Sequence, residues 1–177
     1  MKTITPVKKT VLTAVCAALC VVVPMAFHAV PNGGSIFLPM HIPVLLCGML
    51  CGWPNGLLCG LLGPALSSLL TAMPPAAMLP AMMIECGVYG AVSGLLLKKV
   101  RTGKFYADLY ISLAAAMVCG RIISGIAKAL IFAPDTTLAA WATASFVTGL
   151  PGIAVQLVLI PAIVYALTRA KLIPQRY

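Results

Sequence analysis

Apolar segments close to membrane-spanning length, separated by short breaks rich in turn residues, make up nearly all of this 177-residue chain. A helix needs about 20 mostly apolar residues to cross the hydrocarbon core of a bilayer. With 62% hydrophobic and only 8% charged residues, the chain has too little polar surface for a soluble domain. We therefore predict an all-α integral membrane protein in which residues 1–177 form one compact helical bundle.

The breaks divide the apolar sequence into six candidate transmembrane helices. Turn residues or charges interrupt it at PNGGS, WPNG, MPP, KKVRTGK and APDTT. The predicted spans are residues 10–29, 40–52, 57–72, 77–97, 108–132 and 141–168. Because the second and third spans are short, they could instead form one long helix kinked at Pro54, which would leave five spans.

The positions of the basic residues decide between six spans and five. Ten of the 12 Lys and Arg residues precede the first span, follow the fourth or follow the sixth. With six spans all ten lie on one side of the membrane, which the positive-inside rule identifies as the cytoplasmic side. The pattern favours six spans with both termini in the cytoplasm. The net charge of +9 then reflects topology and does not indicate nucleic-acid binding.

Three charged residues are predicted to lie inside the membrane: Glu85 in the fourth span, and Arg121 and Lys128 in the fifth. A charge at this depth is costly unless it is paired or lines a polar cavity. Glu85 and Arg121 could form a structural ion pair, or they could line an outward-facing pocket for a polar or anionic ligand. Lys128 is close enough to the outer end of its helix for its side chain to reach the interface.

Four uncharged polar residues are further candidates for ligand binding. Tyr89 lies one helical turn from Glu85, and Gln156 in the sixth span either forms an interhelical hydrogen bond or faces the same pocket. His41 begins the second span, where its ring either contacts a ligand or lies at the interface. Asn32 belongs to the uncharged loop HAVPNGGSIFLPMH between the first two spans, which has the composition expected of a lid.

Neither the cysteines nor any short motif indicates a metal site or an enzyme. All seven cysteines lie in apolar stretches without a C-x-x-C spacing, so we expect buried free thiols and no metal site. No nucleotide-binding loop, H-E-x-x-H motif or redox motif is present. We therefore predict no cofactor and no enzymatic activity.

Glycines recur at intervals of four through the second and third spans, at Gly48, Gly52, Gly56 and Gly60. Small residues at this spacing allow transmembrane helices to approach their neighbours closely. The spacing predicts tight packing of both helices.

Six spans in a chain of this length, together with several motifs, resemble the substrate-specific S components of energy-coupling factor (ECF) transporters, the membrane subunits of bacterial vitamin importers. The motifs are the A-x-x-x-A of Ala14 and Ala18, LPMHIPVLLCGMLCG, GLLGPALSSLLTAMPP, MLPAMMIECGVYGAVSGLL and CGRIISGIAKAL. The likeness extends over nearly the whole chain.

The resemblance implies a location and a set of partners. An S component of the bacterial cell membrane binds a vitamin or precursor in its outer half, beneath the loop between the first two helices. It works with a transmembrane coupling subunit and two cytoplasmic ATPase subunits, and hydrolyses nothing itself. In that family the A-x-x-x-A motif contacts the coupling subunit, which assigns Ala14 and Ala18 to this contact here.

The identity of the ligand stays open at the level of sequence. Arg121 and Lys128 favour a ligand with a carboxylate or other acceptors. We expect pantothenate, or a ring like that of pyridoxine or hydroxymethylpyrimidine, because two tryptophans do not suggest a stacked cage for a flavin. The alternative to a transport subunit is a structural or assembly membrane protein without a small-molecule ligand.

Overall fold

The computed structural model describes residues 4–27, 30–132 and 137–172, and within these ranges the chain is helical and contains no strand. The α-helices are α1 (Pro6–Met25), α2 (Gly33–Phe37), α3 (His41–Cys51), α4 (Trp53–Thr71), α5 (Leu79–Lys99), α6 (Phe105–Ala127), α7 (Leu138–Ala142) and α8 (Leu150–Arg169). A π-helical segment, Lys128–Phe132, follows α6, and a second, Thr143–Thr148, joins α7 to α8.

Helix α1 begins four residues earlier than the predicted span. Thr5 caps it by accepting a hydrogen bond from the Lys8 amide at 3.4 Å, and Pro6 occupies the first turn, where its missing N–H costs nothing. The helix ends at Met25, whereas Ala29, the predicted end, lies outside the described residues. The local capping signal therefore places the start of the helix before the apolar run.

Helices α3 and α4 fold back on each other and do not form one kinked helix. In a continuous helix, two residues eight positions apart lie about 12 Å from each other. Here a Cβ atom placed on Gly56 would lie only 2.6 Å from the Cα atom of Gly48. The reversal occurs at Gly52, whose φ of 95° is readily adopted only by glycine.

The predicted tight packing of these helices is confirmed at three of the four glycines. Gly48 and Gly56 both lie against the Gly90 carbonyl of α5, and Gly60 lies against the α5 backbone one turn away, so that a Cβ atom at any of them would collide with main chain. We call this contact the glycine seam. Gly52 is not part of it and serves the chain reversal instead.

The last two predicted spans are interrupted where the sequence predicts continuous helix. The fifth changes from α6 to a π-helical segment at Lys128, and the sixth is divided into α7, a π-helical segment and α8. The second break falls at Gly149, two residues before Pro151, which lies in the first turn of α8, where its missing N–H costs nothing. The lid loop, predicted without secondary structure, contains the short helix α2.

Contacts between helices show which helix ends lie together. The Asn55 side chain donates to Thr13 Oγ1 at 2.9 Å, which places the start of α4 beside the N-terminal half of α1. The Gln156 side chain donates to the Leu38 carbonyl at 3.4 Å, which places the start of α8 beside the start of α3. Glu85 near the start of α5 lies beside His41 and accepts a hydrogen bond from Ser124 near the end of α6. The starts of α3, α5 and α8 and the end of α6 therefore lie at one end of the bundle, called the His41 end, and the opposite end is called the Trp53 end.

Five stretches of the described chain are long and apolar enough to cross a membrane: Pro6–Met25, Gly33–Cys51, Leu79–Lys99, Phe105–Leu130 and Leu150–Arg169. Helix α4, with 19 residues, is not among them, and it packs between α1 and α5. The architecture is that of a multi-pass helical membrane protein.

Candidate functional site

The carboxylate of Glu85 lies in the core of the His41 end, where side chains from three helices surround it. Its Oε1 atom accepts a hydrogen bond from the Tyr89 hydroxyl at 3.0 Å, and its Oε2 atom accepts one from Ser124 Oγ at 3.0 Å. The His41 Nε2 atom lies 3.6 Å from Oε1. Glu85 is thus held within α5 and connected to α3 and α6, with 13% of its side chain exposed.

The possible ion pair between Glu85 and Arg121 is not formed. Within the described part of the chain, His41 is the one basic side chain found within 4.0 Å of the Glu85 carboxylate. Arg121 is only 3% exposed, and its guanidinium carbon lies 5.6 Å from the centre of the Phe146 ring, a cation–π distance. Arg121 is therefore a buried cation beside an aromatic face, without a carboxylate partner among the described residues.

The segment of α6 from Gly120 to Gly125 organises the site. A Cβ atom at Gly120 would collide with the Tyr89 ring, and one at Gly125 would collide with the Trp141 ring. The two glycines make room for aromatic rings from neighbouring helices, while Arg121 and Ser124 between them supply the polar contacts. This stretch of α6 thus contacts Tyr89 of α5, Trp141 of α7 and Phe146 of the π-helical segment that follows α7.

Gln156 connects α8 to the chain between α2 and α3. It is fully buried, and its Nε2 atom donates to the Leu38 carbonyl at 3.4 Å. Leu38 has a left-handed backbone (φ 50°), and a Cβ atom at Gly152 would lie 2.7 Å from the Phe37 carbonyl. Of the two roles predicted for Gln156, an interhelical hydrogen bond or a place in the pocket, the structure shows a hydrogen bond, but to the backbone between α2 and α3 rather than to another transmembrane helix.

Several buried polar atoms have no hydrogen-bond partner among the residues that the structure describes. They are both ring nitrogens of His41, Nε1 of Trp141 and Oε1 of Gln156; Ser67 Oγ in α4 is a further one. Buried polar groups are paired in the great majority of cases. Such a concentration around Glu85 and Arg121 is what a site that receives a polar ligand requires.

The remaining predicted residues lie around or away from this cluster. Lys128 is half-buried and directly follows α6, so that it borders the site. Asn32 is exposed at the left-handed turn that precedes α2, and the structure does not bring its side chain into the buried cluster. Ala14 and Ala18 are exposed on the outer face of α1.

Three residues of the site, Ser124, Trp141 and Phe146, were not among the predicted site residues. Ser124 follows Arg121 by three positions, so helical spacing could have identified it. Phe146 carries no such signal, because it lies in the π-helical segment between α7 and α8, and Trp141 of α7 is identified only by its contacts with Gly125 and Phe146.

These features define a class, a helical membrane protein with a buried polar site at one end. The chain belongs to the ECF transporter substrate-specific component family, whose sequence profile matches residues 8–164. Members of this family are substrate-binding transport subunits, not enzymes, and associate with an ECF module of coupling and ATPase subunits. Comparison with curated proteins gives no match, and comparison with solved structures gives none either.

The hydrogen bonds to Glu85 should contribute measurably to stability. Tyr89→Phe and Ser124→Ala each remove one donor from a buried carboxylate, which should lower the free energy of unfolding by about 1–3 kcal/mol. Thermal unfolding of the purified protein in detergent measures this loss. The exposed positions Tyr110 and Ser35 provide matched controls, Tyr110→Phe and Ser35→Ala. Equal melting temperatures for the site variants and their controls would show that these donors do not stabilise the carboxylate.

Proposed function

We propose that this protein is the high-affinity binding subunit of a vitamin importer, capturing a small vitamin or precursor at the His41 end and delivering it inward with an ATP-driven ECF module. The observation that carries the proposal is the group of unpartnered polar atoms on His41, Trp141 and Gln156 around the buried Glu85 and Arg121 side chains. Family membership supports a transport role for a site of this kind.

We further propose that the chain crosses the cell membrane six times, with the His41 end outside and both termini in the cytoplasm. Helix α4 adds a sixth span to the five long apolar stretches, because its 19 residues extend about 28 Å and it folds back from α3. The described basic residues outside the site support the orientation, since all of them lie towards the Trp53 end: Lys8, Lys9, Lys98, Lys99, Arg101, Lys104, Arg169 and Lys171. Lys2 and Arg176 lie outside the described residues.

Cysteine labelling in intact cells tests this orientation. Asn32 and Arg101 are both exposed, and six of the seven native cysteines are buried, so that the unmodified protein provides the background. A membrane-impermeant maleimide should label Asn32→Cys in intact cells, and Arg101→Cys only after the membrane is permeabilised. The reverse pattern would contradict the proposed orientation.

A small ligand suits this site better than a large one. The polar groups come from α3, α5, α6 and α8, with Gly120 and Gly125 holding aromatic rings close to the helix backbone. Pantothenate and compounds like pyridoxine or hydroxymethylpyrimidine are the proposed candidates.

Thermal stabilisation across a vitamin panel tests the binding function. A ligand at 100 times its dissociation constant adds about 2.7 kcal/mol to the free energy of unfolding of a protein that binds it only when folded. At least one of pantothenate, pyridoxine or hydroxymethylpyrimidine should therefore raise the melting temperature, and riboflavin should not. If no compound of the panel raises it, the alternative of a structural or assembly protein without a ligand is favoured.

We propose that the exposed face of α1 at Ala14 and Ala18 contacts the coupling subunit. Leucine at both positions should block this close approach, because small residues at a spacing of four let helices pack tightly. Ala14→Leu with Ala18→Leu should abolish uptake in cells that contain the complete transporter while leaving ligand affinity unchanged. Exposed Ala162 and Ala166 of α8 have the same spacing and provide the matched control pair. Normal uptake by the α1 variant would refute the assignment.

A further inference from the structure

The described charged residues at the His41 end include more cations than anions. Within the described residues, this end carries the anion Glu85 and the cations Arg121 and Lys128. Glu85 already accepts hydrogen bonds from Tyr89 and Ser124, so its negative charge is held within the protein's own network. Among the described residues of this end, the cations therefore exceed the anions by one.

Arg121 is the cation that most needs a counter-charge. Its side chain is 3% exposed and lies against the Phe146 ring, and none of the described carboxylates is within 4.0 Å of it. A buried guanidinium is unfavourable unless an anion or several acceptors satisfy its five donors. A carboxylate can accept two of them side by side, and such pairs are among the strongest hydrogen bonds in proteins.

The unpartnered polar atoms require other groups on the same ligand. The Oε1 atom of Gln156 can only accept a hydrogen bond, and the Nε1 atom of Trp141 can only donate one. The two ring nitrogens of a neutral His41 provide one donor and one acceptor. A ligand that satisfies this set must carry O–H or N–H donors as well as acceptors.

From these contacts we infer that the ligand is a small organic monoanion with hydroxyl or amide groups, whose carboxylate is bound by Arg121. This inference rests on the proposed function and narrows it. It favours pantothenate-like hydroxy acids over pyridoxine and hydroxymethylpyrimidine, which carry no carboxylate. The Glu85 carboxylate at the same end of the bundle disfavours a second negative charge on the ligand, because like charges repel.

Matched pairs of compounds test the inference on the purified full-length protein. Pantothenate and pantothenol differ in a carboxylate replaced by a hydroxymethyl group, and so do 4-pyridoxate and pyridoxine. Titration calorimetry should give the acid of at least one pair an affinity at least tenfold higher than that of its alcohol. Arg121→Gln should weaken binding of this acid about 10- to 100-fold, as expected for loss of a charged hydrogen bond, and change alcohol binding less than threefold. Arg101→Gln, at an exposed arginine of the Trp53 end, is the matched control and should change neither.

The possible results separate the inference from the proposed function. If the alcohols bind as tightly as the acids or more tightly, the inference is overturned while the binding function stands. If the preference for acids persists in Arg121→Gln, the assignment of the carboxylate to Arg121 is wrong. If neither these probes nor the wider vitamin panel binds, both the inference and the proposed function are overturned. The comparison of acid and alcohol in the unmodified protein tests the inference even if Arg121→Gln does not fold.

Discussion

The carboxylate of Glu85 sets the constraint on which the His41 end depends. Glu85 can remain inside an apolar bundle only because hydroxyl groups of Tyr89 and Ser124 donate to it and the His41 ring lies beside it. These groups come from three helices, so satisfying the carboxylate fixes where α3, α5 and α6 meet. Because His41, Tyr89 and Ser124 surround the Glu85 carboxylate, Arg121 is left without a carboxylate partner among the described residues.

Close backbone packing makes this polar arrangement possible. The glycine seam brings α3 and α4 into main-chain contact with α5. On α6, Gly120 and Gly125 allow the Tyr89 and Trp141 rings to lie directly on the helix backbone. Small residues thus position large aromatic ones, and the aromatic and polar groups converge on one end of the bundle.

The sequence predicted features that depend on local periodicity, such as the close packing of Gly48, Gly56 and Gly60. The resemblance of its motifs to S components correctly indicated the family. Gly52 was predicted to pack with the other three glycines and instead forms the chain reversal. The residues that contact Glu85 could not be predicted, because spacing along one helix does not reveal which neighbouring helix faces it. His41 and Ser124 contact the Glu85 carboxylate, and Arg121 does not pair with Glu85. Phe146 was not predicted, because it lies in a π-helical segment, where side chains do not follow the spacing of a regular α-helix.

The central claim is that a ligand occupies the cluster around Glu85 and Arg121, and the fluorescence of Trp141 tests it most directly. The chain has two tryptophans, and Trp53 lies at the opposite end of the bundle, so Trp53→Phe leaves Trp141 as the reporter inside the site. Titration with a compound that stabilises the protein should change the Trp141 emission saturably, with the dissociation constant found by calorimetry. A stabilising compound that leaves Trp141 emission unchanged would show that it binds elsewhere and would contradict the account.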